Sequence, residues 1–156
     1  MTTDFVQVGA VVPAFDSEST GGPVSLAALG GRKVVLYFYP KDSTPGCTTE
    51  TQEFGDTLPG FDAAGAVVYG ISRDTITSHH QFKDALGIGF ELISDPDEKL
   101  CALFGVMKMK TLYGKQVRGI ERSTFILDRQ GKLVKEWRGV KIPGHVAEVL
   151  DFVQAM

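Results

Sequence analysis

The sequence contains no asparagine and only two cysteines in 156 residues. Without asparagine, most positions that need a positive φ must fall to the 18 glycines. Two cysteines are too few for a disulfide framework, so a reducing cytoplasm is the expected compartment. No run of apolar residues approaches the ~20 needed to cross a bilayer. The start of the chain, Met1-Thr2-Thr3-Asp4-Phe5, has neither the basic nor the apolar region of a secretory signal. Basic residues are not in excess: 16 Lys and Arg stand against 19 Asp and Glu, a net charge of -3, which gives no reason to expect nucleic-acid binding. Two cysteines and three histidines show no spacing that closes a zinc site. Neither Gly-x-Gly-x-x-Gly nor a P-loop is present, so no nucleotide cofactor is expected. Internal repeats, low-complexity runs and linkers are also missing.

What is there suffices for a core. Hydrophobic residues make up 43% of the chain, and its length fits one domain over residues 1–156. Short strands are expected near Val11–Phe15 and near Val24, joined by a Gly-rich turn. Lys33–Tyr39 is a continuous apolar run rich in β-branched and aromatic residues, the pattern of a strand covered on both faces. A helix follows over Pro45–Ala63, broken or kinked near Pro59. A second buried strand, Ala66–Ile71, precedes a helix over Thr75–Leu86 and a short strand near Phe90–Ile93. Asp95 and Pro96 read as the cap and first residue of a third helix, ending at Gly105. Met107–Val117 reads as an irregular loop, Arg118–Leu127 as a strand, Lys132–Trp137 as its hairpin partner, and Pro143 as the start of a last helix. This alternation predicts an α/β fold: a central mixed sheet, mainly parallel in its alternating part, flanked by helices, with a short N-terminal strand extension.

The chemistry concentrates at Tyr37–Cys47. Thr44-Pro45-Gly46-Cys47 has the grammar of a helix start, with Thr44 able to cap and Pro45 suited to the first position. Cys47 then falls in the first turn, where unpaired N–H groups and the helix dipole favour an anion. Ionisation alone is a modest gain. A free thiol is about 3% thiolate at neutral pH, so full ionisation is worth roughly thirtyfold, about 2 kcal/mol, whereas enzymes commonly reach 10⁶ or more. Groups that stabilise the transition state are therefore required beside the sulfur.

Pro40, Thr44 and Cys47 together match the Pro-x-x-x-Thr/Ser-x-x-Cys signature, and the chain resembles the peroxiredoxins. Tyr-Phe-Tyr-Pro-Lys-Asp-x-Thr-Pro-Gly-Cys-Thr is similar to the peroxiredoxin Q, or bacterioferritin comigratory protein, subfamily. Ser94–Lys99 and Gly119–Asp128 match it as well. The resemblance implies a thioredoxin-like fold and reduction of hydrogen peroxide or organic hydroperoxides without a cofactor. It further implies that Cys47 attacks the peroxide and becomes a sulfenic acid. Thr44 would bond to the peroxide oxygens, Pro40 would shield the sulfur from water, and Arg122 would hold the thiolate and the developing charge. Glu50, one helical turn past Cys47, could orient Arg122 or could be a solvated carboxylate. On an extended strand Arg122 would share a face with Ile120, Thr124 and Ile126.

The chain departs from the subfamily pattern at Gln52, where many members carry a second cysteine. No cysteine occurs over Thr75–Leu86, where another variant places it. Cys101, beside the apolar stripe of Leu100, Leu103 and Phe104, reads as a half-buried structural thiol. A one-cysteine cycle is expected, with the sulfenate reduced by thioredoxin, glutaredoxin or a low-molecular-weight thiol, in a monomer or weak dimer. A two-cysteine cycle through Cys101 and a non-catalytic redox-sensing or chaperone-like module stay open as alternatives. Cys-x-x-Cys exchange is disfavoured, because Thr44 and Glu50 flank Cys47 at that spacing. A Cys–His hydrolase would need a histidine beside Cys47. His79 and His80 read as a solvated helix face, His145 as a surface residue, and Met107 and Met109 as exposed loop residues.

Overall fold

The computed structural model describes residues 5–156. The first strands are β1 (Asp16–Ser19) and β2 (Gly22–Ser25), followed by β3 (Lys33–Phe38). Helix α1 (Pro45–Asp56) is separated from α2 (Leu58–Ala63) at Thr57, with Pro59 in the first turn of α2. The chain continues through β4 (Ala66–Ser72), α3 (Ile76–Leu86), β5 (Glu91–Ser94) and α4 (Lys99–Phe104). Strands β6 (Met107–Leu112), β7 (Lys115–Ile120), β8 (Ser123–Leu127) and β9 (Leu133–Arg138) precede α5 (His145–Ala155).

Seven strands form one sheet in the order β2-β1-β5-β4-β3-β8-β9. Strands β3, β4 and β5 are mutually parallel, whereas β8, β9, β1 and β2 run antiparallel to their neighbours. This is the central mixed sheet of a thioredoxin-like fold, flanked by helices. Every residue of β3 is buried, and alternation along it divides the core. Val34, Leu36 and Phe38 pack with Leu100, Phe104 and Phe125 on one face. Val35, Tyr37 and Tyr39 pack with Phe54, Phe61, Phe82 and Val149 on the other. Each such large side chain, fully buried, contributes about 1.5–3 kcal/mol.

Several local expectations are corrected. Residues 107–117 are not an irregular loop: β6 and β7 form an antiparallel hairpin. Its two-residue turn has Tyr113 at φ 53° and Gly114 at φ 76°, the left-handed pair that matches strand twist. Met109 is exposed, but Met107 packs against the core. Arg118–Leu127 is not one strand. It breaks at Glu121 and Arg122, so Ile120 packs on one face of the sheet while Ile126 lies on the other, the face of Cys47, toward which Arg122 reaches; of the shared face expected for Arg122, Ile120 is not part. The third helix begins at Lys99 rather than at Pro96. A turn intervenes with Glu98 at φ 61°, and the Asp95 carboxylate reaches across it to accept from the N–H groups of Leu100 (3.0 Å) and Cys101 (2.8 Å). Near the N-terminus, Val11 makes a single bridge to Lys132 and the strand starts only at Asp16.

Candidate active site

The carboxyl end of β3 feeds α1 through residues 39–44. Thr44 is the N-cap by backbone conformation (φ -86°, ψ 153°), and its carbonyl accepts the Thr48 N–H at 2.9 Å. Its side chain does not cap. The Thr44 hydroxyl instead donates to the Lys41 carbonyl at 2.8 Å, closing the turn that precedes the helix. Pro45 occupies the first position, where no N–H is needed. Helix geometry leaves the N–H groups of Gly46 and Cys47 without intrahelical acceptors. Cys47 is fully buried on the face that carries Tyr37 and Tyr39. Pro40 and Thr44 are half-buried.

Arg122 comes to this turn from the strand break. Its carbonyl accepts the Val140 N–H at 2.9 Å, and the Ser123 hydroxyl donates to the Glu121 carbonyl at 2.9 Å. These bonds hold the break and aim the guanidinium at α1. Nη2 donates to Cys47 Sγ at 3.3 Å and Nη1 to Glu50 Oε1 at 2.7 Å. Glu50 is therefore a buried partner of Arg122 and not a solvated carboxylate. Among the described residues its other oxygen, Oε2, is buried without a hydrogen-bond partner. Burial pushes the Glu50 carboxyl up to about 7 against the pull of Arg122. Burial works to lower Arg122, but the facing Glu50 and Cys47 outweigh it and hold the guanidinium above its ordinary range.

Gly46 makes this approach possible. A Cβ there would lie 3.1 Å from Ile142 Cδ1 and 3.3 Å from Arg122 Nη2, closer than side chains ordinarily pack. The wall behind the sulfur is aromatic. Tyr37 stacks on Phe54 at 4.4 Å and donates its hydroxyl to Thr51 at 2.9 Å, one turn beyond Cys47. Burial drives the Tyr37 phenol well up, so it stays a neutral donor.

Two histidines depart from their expected surface positions. His79 is fully buried, between the Asp42 carboxylate and the Ile93 carbonyl. His145 is buried against Thr124 at 2.8 Å, and burial lowers its basicity, with Arg122 adding to the effect. The signal for His79 was its spacing: Ile76, His79 and Phe82 lie on one helical face. Cys101 is fully buried rather than half-buried. It lies in the cluster of Leu100 and Phe104, on the face of the sheet opposite Cys47. Burial, with Asp95 facing it, drives its thiol far up. Among the described residues both cysteines are free, and no helix is long and apolar enough to cross a membrane.

A buried sulfur that accepts from a guanidinium, at a helix start and against an apolar wall, is set up as a nucleophile beside a fixed positive charge. The family profile "AhpC/TSA family" matches residues 8–136. Peroxiredoxin Bcp of Xanthomonas campestris pv. campestris is 52% identical over 139 residues, covering 89% of this chain and 87% of the relative. Peroxiredoxin Bcp of Bacillus subtilis is 43% identical over 152 residues, 97% of each chain. A solved structure of the Xanthomonas campestris bacterioferritin comigratory protein, reported for its alkyl peroxide reduction activity, superposes with a TM-score of 0.86 at 50% identity over 90% of both chains.

Proposed function

This chain belongs to the AhpC/TSA family, beside the peroxiredoxins Bcp and Q, and we propose that it reduces hydrogen peroxide and organic hydroperoxides through a one-cysteine cycle at Cys47. Its curated relatives are peroxiredoxins, thiol-dependent peroxidases, and the alkyl peroxide reduction named for the Xanthomonas protein supports the substrate class. The observation that carries the reading is the Arg122 Nη2 contact to Cys47 Sγ at 3.3 Å.

In the first step the Cys47 thiolate attacks the terminal oxygen of R–O–OH. An S–O bond forms as the O–O bond breaks, the sulfur is oxidised by two electrons, and the alkoxide or hydroxide leaves as alcohol or water after taking a proton. Arg122 faces both the anionic sulfur and the charge that moves onto the leaving oxygen, where fixed donors contribute most. Thr44 orients the peroxide and Pro40 keeps water from the sulfur. In the second step an external thiol attacks the sulfenic acid, releasing water and leaving a mixed disulfide. A second thiol then frees Cys47. The reductant is a thioredoxin, a glutaredoxin or a small thiol.

The one-cysteine cycle rests on Gln52 and on the place of Cys101. The sheet lies between the two sulfurs, and a disulfide needs Cα atoms within about 7 Å. The deciding experiment is peroxide consumption by wild type, Cys47→Ser and Cys101→Ser, with dithiothreitol and then with a thioredoxin system. Only Cys47→Ser is expected to be dead in both. Loss of thioredoxin-linked turnover alone in Cys101→Ser would instead assign Cys101 as the resolving cysteine.

A further inference from the structure

The turn that carries Pro40 and Thr44 is held by a buried polar network that the peroxide chemistry does not itself use. Ser43, next to Thr44, has φ 63° without being glycine, a conformation that persists only where surrounding contacts over-determine it. The contacts converge on Asp42. Its N–H donates to Asp74 Oδ2 at 2.9 Å. Its Oδ1 accepts from the Tyr39 hydroxyl at 2.6 Å. Its Oδ2 accepts from the Ser78 hydroxyl at 2.8 Å and faces His79 Nδ1 at 2.7 Å. The other ring nitrogen, Nε2, lies 2.9 Å from the Ile93 carbonyl. A carbonyl oxygen only accepts, so Nε2 carries a proton. The imidazole therefore bridges Asp42 to β5 from α3 and is fully buried.

Asp42, Asp74 and His79 have donor atoms within 4.8 Å of one another, close enough for a metal. Hydrogen bonds already account for them: Asp74 Oδ2 accepts from Asp42 N–H and the Ser72 hydroxyl, and both nitrogens of His79 have partners. The network ties together the carboxyl ends of the three parallel strands β3, β4 and β5. The segment it fixes enters α1 two residues after Asp42, at Thr44.

We propose that Asp42 and His79 are positioning residues for the peroxide reaction: His79, anchored on the Ile93 carbonyl, holds the Asp42 carboxylate so that the strained turn presents Pro40 and Thr44 in register with Cys47. The proposal rests on the peroxidase reading, and it distinguishes two reactions of one sulfur. Peroxide attack needs the turn, because an oriented O–O bond depends on the placement of Thr44. Alkylation by iodoacetamide needs only an available thiolate.

The test measures second-order rate constants of reduced Cys47 with hydrogen peroxide and with iodoacetamide, in wild type, His79→Gln and Ser78→Ala, each normalised to folded protein by circular dichroism. Misplacement by about 1 Å can cost roughly a hundredfold. His79→Gln is expected to slow the peroxide reaction roughly tenfold or more while alkylation stays within about twofold. Ser78→Ala removes one hydroxyl from Asp42, keeps the imidazole, and is expected to shift the same ratio in the same direction by a few-fold. If His79→Gln does not fold, an unchanged ratio in Ser78→Ala overturns the proposal. A peroxide rate constant within about twofold of wild type in His79→Gln, or parallel loss of both rates, overturns it while leaving the peroxidase reading intact. A wild-type protein that reacts with peroxide no faster than free cysteine overturns both.

Discussion

Arg122 divides its guanidinium between two buried groups on consecutive turns of one helix, with Nη1 on Glu50 Oε1 at 2.7 Å and Nη2 on Cys47 Sγ at 3.3 Å. The carboxylate fixes the plane of the fork, so the second nitrogen has one direction left, toward the sulfur. A lysine could not do both, because an ammonium is a point charge without fork geometry. Arg122→Lys is expected to lower the rate constant for peroxide by about 10²–10³, the cost of removing one preorganised donor from a developing charge. Stopped-flow reaction of the reduced protein with hydrogen peroxide measures it. A loss below about fivefold would remove Arg122 from the transition state.

The same pair gives a pH signature. Burial raises the Glu50 carboxyl from its ordinary 4.5 to about 7. Between those values the folded chain keeps a proton that the unfolded chain has released, so the Glu50 contribution to stability falls as pH rises from 4.5 to 7. The full swing is on the order of 3 kcal/mol. Glu50→Gln does not titrate. Its stability relative to wild type is expected to climb across that window and to level above it, in urea unfolding at several pH values. A difference that is flat with pH would show that Glu50 is ionised throughout.

Gly46 sets how near the guanidinium can come. In Gly46→Ala the new methyl meets Ile142 Cδ1 and Arg122 Nη2, and one of them must yield. The expected result is a several-fold to tenfold loss in peroxide reactivity with little change in helix content. Adding Ile142→Val to Gly46→Ala is expected to recover part of the loss by opening room on the apolar side.

Cys101 belongs to the packing of α4. Cys101→Ala is expected to destabilise the fold by about 1–2 kcal/mol, through lost contacts and a small cavity. Dithiothreitol-linked peroxidase turnover should be unchanged. Thermal unfolding and steady-state assays on one preparation separate the two effects.

A sulfenic acid without an internal thiol partner is open to a second oxidation. High peroxide with limiting reductant is expected to inactivate the enzyme progressively, with Cys47 appearing as sulfinic acid by mass spectrometry. Sustained turnover without that product would argue that another thiol protects the sulfur.

Legibility in the sequence followed the range of the interactions. Strand β3 is readable because six consecutive apolar residues, Val34 through Tyr39, admit few other structures. The start of α1 was readable from Thr44, Pro45 and Gly46, all local. Spacing from Cys47 leaves Glu50 either a partner of Arg122 or a solvated carboxylate, and the choice depends on Arg122, which arrives from the distant break before β8. His79 was misread because its partners, Asp42 and Ile93, come from other elements. The β6–β7 hairpin was missed because its turn is Tyr113-Gly114. A chain without asparagine must put other residues in left-handed positions, and tyrosine is not a recognised turn signal.

That hairpin divides the molecule by time as well as by space. Among the described residues β6 and β7 pair with each other and with no strand of the main sheet. Closing their ladder requires only a two-residue loop, whereas joining β3 to β8 brings together distant stretches of chain. Its amides therefore report local opening, and those of β3 report loss of the whole fold. In deuterated water the ribbon exchanges first, and the interval before β3 follows measures how far the peroxide site is insulated from the motion of its own appendage.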